Sequence, residues 1–329
     1  QLIERIEIIK GPASRIFGQN AFNGAINIVT KNLPKIDKKL FEVMVSNPTF
    51  GSFKQFGFLI NSRLLLKEKF NAQLTFSRSK SDGYRYNTDY SNDFFFFKSE
   101  IKTKKNPINI TSGFTDKKFG ANGFYASPSA IDQYEKTQTS FVGISTVFGS
   151  EKLLIRPKLY WRRGQDEYIY IRNNPSVYRN LHITNKIYLD FSFSKLFDSS
   201  RLNFGIDLSS SSISSNNLGK HNRFTSSLYA DYTFKTIDNK LSFSPGFSVS
   251  NFSDMSTHFF PGLDIGFDIS KKVNLYANYG KTYRIPTYTD LYYSDRNTIG
   301  NPNLNPEHAI TNEIGIKYSN ENIDISSSY

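Results

Sequence analysis

Five stretches of this chain alternate apolar and polar residues without interruption, which restricts the fold more than any other feature. They are Phe70 to Ser77, Leu202 to Leu208, Leu228 to Phe234, Leu263 to Ile269 and Val273 to Tyr279. A period of two gives a segment two unlike faces, the mark of a strand between an apolar and a polar phase. Here the polar face carries Asp, Asn, Gln, Ser and Gly. A soluble sandwich and a membrane barrel both produce such dyads. In the first, a row such as Leu263, Ile265, Phe267 and Ile269 faces a second sheet; in the second it faces lipid.

The connections favour the barrel, because they alternate in length in strict order. Short ones fall near Lys67–Lys69, Lys104–Asn106, Gly149–Glu151, Asp198–Ser200, Ile237–Asn239, Ser270–Lys272 and Ser319–Asn322. Longer ones span 80–92, 117–135, 164–182, 214–223 and 284–306, while two on the long side, near 47–52 and 252–257, are themselves short. Tight turns at one end and extended loops at the other are what an outer-membrane barrel requires. No run approaches the ~18 apolar residues of a membrane-crossing helix, so a membrane location requires a closed barrel. The aromatic bias, 30 Phe and 20 Tyr against one Trp, suits pleated surfaces and membrane interfaces. About fifteen strands of roughly 8–14 residues are expected. Bacterial single-chain barrels have even counts, so the C-terminal side is expected to be cut. The alternative is that Tyr329 is a terminal assembly signal. No secretion signal stands at Gln1, and the true start is expected to be missing.

The formal net charge is +12, with Lys+Arg 41 against Asp+Glu 29. The basic residues are scattered, and the run Lys102-Thr103-Lys104-Lys105 falls in an expected turn, so a nucleic-acid partner is not predicted. Cysteine is absent, which excludes disulfides and thiolate metal sites. There is no nucleophile elbow, Walker loop or zinc-protease motif, and His182, His221, His258 and His308 lie far apart, so an enzyme is not expected.

The first thirty-odd residues are of another kind. Leu2 to Gly18 reads as a strand, Ile3-Glu4-Arg5-Ile6-Glu7-Ile8-Ile9-Lys10, broken by Gly11-Pro12 and followed by Phe17-Gly18. Asn23-Gly24-Ala25-Ile26-Asn27-Ile28-Val29-Thr30-Lys31 then reads as a short buried strand. On residues alone this is an ordinary strand–turn–strand unit. The stretch 3–31 resembles the C-terminal part of the plug domain of TonB-dependent outer-membrane receptors, on Arg5, Glu7, Gly11, Pro12, Gly18, Gly24 and Asn27. Asn23 stands where the family usually has a second Gly, and Asn tolerates a left-handed turn. A second match lies at Tyr279–Tyr293, containing Arg284-Ile285-Pro286-Thr287 and Asp290-Leu291-Tyr292, followed by Gly300-Asn301-Pro302-Asn303-Leu304-Asn305-Pro306-Glu307. It is similar to the family's barrel signature.

The resemblance implies an all-β transmembrane antiparallel barrel of about 22 strands, closed by a plug. About 15 of them would lie in this chain. Residues 1–33 would be the end of the plug and 34–329 a partial barrel in the outer membrane of a gram-negative bacterium. It also implies active import of a scarce bulky nutrient, energised by the TonB complex, whose contact box would lie outside this sequence. Outer-membrane lipid would surround the barrel, and a surface lipoprotein could cap it. The runs Ser81–Tyr90 and Phe119–Tyr125 are similar to cobalamin (vitamin B12) receptors of Bacteroidetes type; ferric-siderophore receptors share the same signatures. A passive porin would lack the plug-like segment, and a soluble β adhesin would need another use for its apolar rows.

Substrate contacts are expected from aromatic and polar residues of the long loops. The candidates are Tyr84, Tyr86 and Tyr90; Phe124 and Tyr125; Tyr168 and Tyr170; and Arg284, Tyr288, Tyr292 and Tyr293. Each has an ordinary alternative as an interfacial or loop-packing residue, and Arg284 with Asp290 as a pair inside the lumen. No cofactor is expected beyond structural calcium, which cobalamin receptors of the family can carry in outer loops. Asp82, Asp89 and Asp93 are oxygen donors of the right kind, although their spacing matches no calcium loop and a solvated acidic loop is the alternative.

Overall fold

The computed structural model describes residues 2–10, 24–33, 40–47, 49–50, 53–66, 69–125, 127–236, 238, 240–295 and 298–329. Two strands, β1 (Ile3–Lys10) and β2 (Gly24–Thr30), pair antiparallel and form a sheet of their own. The large sheet begins with β3 (Leu40–Ser46), β4 (Thr49–Phe50), β5 (Phe53–Leu66), β6 (Phe70–Ser81), β7 (Tyr90–Lys102) and β8 (Pro107–Gly120). It continues through β9 (Tyr134–Thr146), β10 (Phe148–Ser150), β11 (Leu153–Ile169), β12 (Arg179–Leu196), β13 (Ser200–Ser215) and β14 (Gly219–Thr236). Its last members are β15 (Leu241–Phe252), β16 (His258–Asp268), β17 (Val273–Arg284), β18 (Glu307–Ser319) and β19 (Asp324–Ser328), with a one-turn helix α1 (Tyr288–Tyr292) between β17 and β18.

Each pass pairs antiparallel with the next in sequence. Of the sheet's 17 strands among the described residues, β4 continues β3 along β5 and β10 continues β9 along β11, which leaves fifteen passes there. The face pattern decides between sandwich and barrel. Register places Leu159, Leu189 and Leu208 in one row, and Pro157, Phe191, Ile206 and Leu228 in the next. Leu159 is 46% exposed, Phe191 41% and Ile206 41%. A second sheet would have covered these side chains, whereas lipid takes them as they stand. The opposite face is polar and cross-linked: Lys158 Nζ lies 3.5 Å from buried Asp190, Asn203 donates to Asp231 at 2.8 Å, and Asn278 donates to Glu313 at 2.9 Å. The chain forms part of a transmembrane antiparallel barrel, with lipid outside and a polar lumen. Consecutive pairing also satisfies the backbone groups that would otherwise each cost several kcal/mol in hydrocarbon.

One part of the inner wall is lined by apolar residues. Leu59, Phe94, Phe96 and Phe141 line a cavity of about 400 Å³ together with Leu2 and Ile3 of the separate hairpin segment. Beside it Lys98 Nζ donates to Thr30 Oγ1 and to the Lys31 carbonyl, both at 2.9 Å. The hairpin thus lies against the inner wall of β5–β9.

Strands on the long-loop side run further than the sequence implies. The stretch 214–223, expected as a long connection, is a three-residue turn at 216–218, because the serine-rich run 209–215 pairs with both β12 and β14. Serine has little strand preference of its own, and ladder hydrogen bonds on both sides override it. Tyr168 lies in β11 for the same reason, and the other long loops contract to 82–89, 121–133 and 170–178.

The face assignment has a direct test. In the full-length protein, Leu189→Arg on the outward face should destabilise the folded barrel in bilayers by ~2–4 kcal/mol. Ser194→Lys, five residues on and facing inward, should cost less than about 1 kcal/mol in the same urea titration.

Candidate functional site

The long-loop end of the sheet is organised around one guanidinium. Arg172 donates to both carboxylate oxygens of Asp89, at 2.6 and 3.0 Å, and to Asn87 Oδ1 at 3.1 Å. Its own N–H donates to the Asp132 carbonyl at 2.9 Å, and its guanidinium lies 4.5 Å from the Tyr134 ring centroid. Three loops, 82–89, 121–133 and 170–178, are thereby tied together. A planar guanidinium fork matches a carboxylate in two parallel bonds and still reaches a third acceptor, a fixed geometry that the point charge of a lysine does not impose. Asn87 extends the tie by donating to the carbonyls of Ile131 and Gln133, at 2.8 and 2.6 Å. It adopts a left-handed conformation, φ 52°, and its backbone lies so close to Gly120 that a Cβ there would meet the Asn87 oxygen at 2.5 Å.

Below this clamp lies a cavity of about 1000 Å³. Tyr125, Tyr168, Tyr170, Tyr178 and Tyr293 supply its aromatic lining. Tyr125 meets Tyr168 edge to face at 5.5 Å and 81°, and Tyr168 meets Tyr178 at 6.3 Å and 71°. Its polar lining includes Glu135, Asp166, Asp295, Asn180 and His182. The phenols are tied into this polar set. Tyr293 donates to Asp295 at 3.0 Å and lies 3.3 Å from the Tyr178 hydroxyl, which accepts from Asn180 at 3.0 Å. Burial first, then these hydrogen bonds, pushes the Tyr293 phenol well above its usual range. Tyr125 is raised likewise, by burial and by its bond to Glu135.

The 285–306 loop folds back over the wall beside this cavity. Its helix α1 starts with a capping box: Thr287 Oγ1 accepts from the Asp290 N–H at 3.2 Å, and Asp290 Oδ2 accepts from the Thr287 N–H at 2.8 Å. That backbone donor is the main reason the Asp290 carboxyl titrates below its usual value. Arg284 holds the loop's two ends, with bonds of 3.0 and 2.6 Å to Glu307 and one of 3.3 Å to Asp290. Tyr292 stacks on His221 at 3.8 Å and Tyr288 lies 5.6 Å from the same ring. Together they border a second groove of about 500 Å³.

The residues singled out in the sequence therefore divide. Tyr125, Tyr168, Tyr170 and Tyr293 come together in the large cavity, and Tyr288 and Tyr292 in the groove. Tyr84 and Phe124, 72% and 74% exposed, stand outside both. Tyr86 donates its hydroxyl to Asp132 at 2.5 Å, a bond that raises its own pKa and belongs to the loop clamp. Tyr90 opens β7 in register with Ser81 and Phe119, away from the cavity. Arg284 and Asp290 are paired with each other. Tyr178, Glu135, Asp166, Asn180 and His182 were not anticipated. For Glu135, Asp166, Asn180 and His182 the available signal was inward parity on β9, β11 and β12, usable only once register is known; Tyr178 lies in the loop before β12.

The calcium expectation does not fit. Both oxygens of Asp89 are taken by Arg172, both of Asp93 by Arg78 at 2.5 and 2.7 Å, and among the described residues no three His, Cys, Asp or Glu side chains are grouped to hold an ion. Asp82 stands apart, its N–H bonded to the Lys54 carbonyl. In the hairpin, Glu7 accepts from Arg5 and Asn27, each at 2.7 Å, and Gly24 has φ 146°. Gly11, Pro12 and Gly18 lie outside the described residues.

A family model described as TonB dependent receptor-like, beta-barrel matches residues 44–329. The chain belongs to this family, whose barrels lie in the outer membrane of gram-negative bacteria. It is 22% identical over 337 residues to the vitamin B12 transporter BtuB of Photobacterium profundum, covering 98% of this chain and 53% of that protein. It is 23% identical over 370 residues to BtuB of Vibrio vulnificus, covering 96% and 51%. The chain thus spans about half the length of these relatives. Among solved structures, the siderophore receptor PirA from Pseudomonas aeruginosa superposes with a TM-score of 0.80 at 14% identity, covering 99% of this chain and 61% of that one. A variant of the ferric enterobactin receptor PfeA from the same organism gives 0.79 at 14%, covering 99% and 58%. These likenesses establish the fold.

Two outcomes are expected at the loop end. Arg172→Ala should raise amide exchange at Asn122 and Gly123 by about tenfold or more, read by hydrogen–deuterium exchange of the full-length receptor. For α1, the depressed Asp290 pKa means that its cap is fully present above the unfolded value of about 3.9 and is lost as pH falls through the folded value. Exchange at Leu291 and Tyr293, corrected for intrinsic pH effects, should rise across that window and become pH-insensitive in Asp290→Asn.

Proposed function

We propose that this chain is the ligand-binding barrel portion of an active outer-membrane importer, with cobalamin as its substrate. The observation that carries the reading is the tyrosine-lined cavity at the long-loop end. Its volume of about 1000 Å³ reaches the top of the ~300–1,000 Å³ range usual for small-molecule sites. Five phenol rings offer wide apolar contact with little loss of side-chain freedom. The kinship with BtuB points the same way. A ferric siderophore is the second reading, favoured by the same cavity size and by the sequence signatures common to both branches.

In this reading residues 1–33 are the end of a plug, held to the inner wall through Lys98 and the Leu59–Phe94–Phe96–Phe141 surface. The chemistry is binding and gating. Ligand enters between the clamped loops and settles on the tyrosines. TonB then displaces the plug and opens the lumen. Glu7, Arg5 and Asn27 hold the plug's last two strands in register while it moves.

The test is binding and uptake by the full-length receptor in purified outer membranes, comparing radiolabelled cobalamin with a panel of ferric siderophores. Saturable cobalamin binding is expected, with uptake but not binding lost when the proton gradient is collapsed. Tyr168→Ala should weaken binding by about 2 kcal/mol, roughly thirtyfold. Binding of iron chelates alone would move the receptor to the siderophore branch.

A further inference from the structure

We infer that this cavity selects ligands by charge and hydrogen-bond polarity: it takes an uncharged or cationic ligand rich in hydrogen-bond donors and rejects polyanionic metal chelates. The inference rests on the reading of the cavity as the substrate site, and it names the substrate's chemical class. The first ground is the sign of the lining. Glu135 and Asp166 line the cavity, and among its described lining residues there is no Lys or Arg. Register sets Asp166 opposite His182 and Tyr168 opposite both Glu135 and Asn180, so two carboxylates rise on neighbouring strands into one space.

The second ground is where the nearby cations have gone. Arg172 is held by Asp89, Arg223 by Asp254 at 2.7 Å, and Arg284 by Glu307 and Asp290. These three guanidiniums thus carry their own counter-charge, and Arg85 donates to the Asn122 carbonyl outside the cavity lining. A cleft of one sign with low-dielectric walls concentrates its field on whatever enters.

The third ground is donor and acceptor accounting. An ionised carboxylate can only accept. The Tyr125 and Tyr293 hydroxyls already give their protons to Glu135 and Asp295, and the Tyr178 hydroxyl accepts from Asn180. The Glu135 and Asp166 oxygens match a periphery of amide N–H groups, beside the Tyr168 and Tyr170 hydroxyls, which can donate as well as accept. A chelate edged with anionic oxygens brings neither a donor nor a compensating charge, and burying it there leaves both sides unpaired.

The experiment measures equilibrium binding to the full-length receptor of three probe classes: cyanocobalamin and its cationic aquo form; cobalamin derivatives with peripheral amides hydrolysed to carboxylates; and ferric chelates, a net-neutral tris-hydroxamate against a trianionic tris-catecholate. Within each scaffold the more anionic member should bind at least about tenfold more weakly. Asp166→Asn and Glu135→Gln should narrow that gap, each raising the anionic member's affinity relative to its neutral counterpart by at least about threefold. Selective binding of the neutral hydroxamate over the catecholate, with no cobalamin binding, would uphold the charge rule while sinking the cobalamin reading. Equal affinity for charged and uncharged corrinoids, unmoved by either substitution, would overturn the charge rule while leaving cobalamin in place. Tight binding of the tris-catecholate overturns it as well.

Discussion

The interaction on which everything else depends is the inter-strand backbone hydrogen bond in a medium without water. In hydrocarbon a peptide group has no other partner, so each pass must pair along its whole spanning length, and period-two alternation then sorts side chains into a lipid face and a lumen face. The rows through Leu159, Leu189 and Leu208 and the polar links Lys158–Asp190 and Asn203–Asp231 are two consequences of that one constraint. The same pairing carries strands beyond the apolar band on the long-loop side, where Tyr168, Asn180 and His182 reach the cavity from rigid ladder positions.

Loops placed on such a wall need their own fixation. Arg172 supplies it for three of them, and the capping box with the Arg284–Glu307 and Arg284–Asp290 pairs supplies it for the fourth. These pairs are partly exposed, so individually they add little to the stability of the fold. Their effect is geometric: they fix which loop residues face inward. Tyr293 is aimed into the cavity through Asp295 and Tyr178, while Tyr86 is drawn away from it by Asp132. The guanidinium groups that fix the loops are not among the cavity's described lining residues, which include Glu135 and Asp166.

How much was legible beforehand differs by element. The fifteen passes and the parity of their connections follow from alternation and turn residues, both local properties. Within the expected connection 214–223, residues 214–215 and 219–223 prove to be strand, because their strand character comes from ladder partners and not from their own residues. In the site, four aromatic residues chosen for their loop positions, Tyr125, Tyr168, Tyr170 and Tyr293, do converge, while Tyr84, Phe124 and Tyr90 do not. Aromatic type and loop location show that a side chain can bind; they do not show which way it points.

The sequence by itself determined the class of architecture, the family and the separate character of the first thirty-odd residues, since periodicity, turn chemistry and short motifs are written in contiguous residues. Only the tertiary structure decided which carboxylates line the cavity, which arginines are ion-paired, and that Asp89, in a loop, and Asp93, in β7, serve as ion-pair partners. Those outcomes join residues as far apart as Asp89 and Arg172, or Tyr178 and Tyr293. Strand register and loop packing create such neighbours, and a one-residue shift in register would turn every one of the strand residues among them to the opposite face.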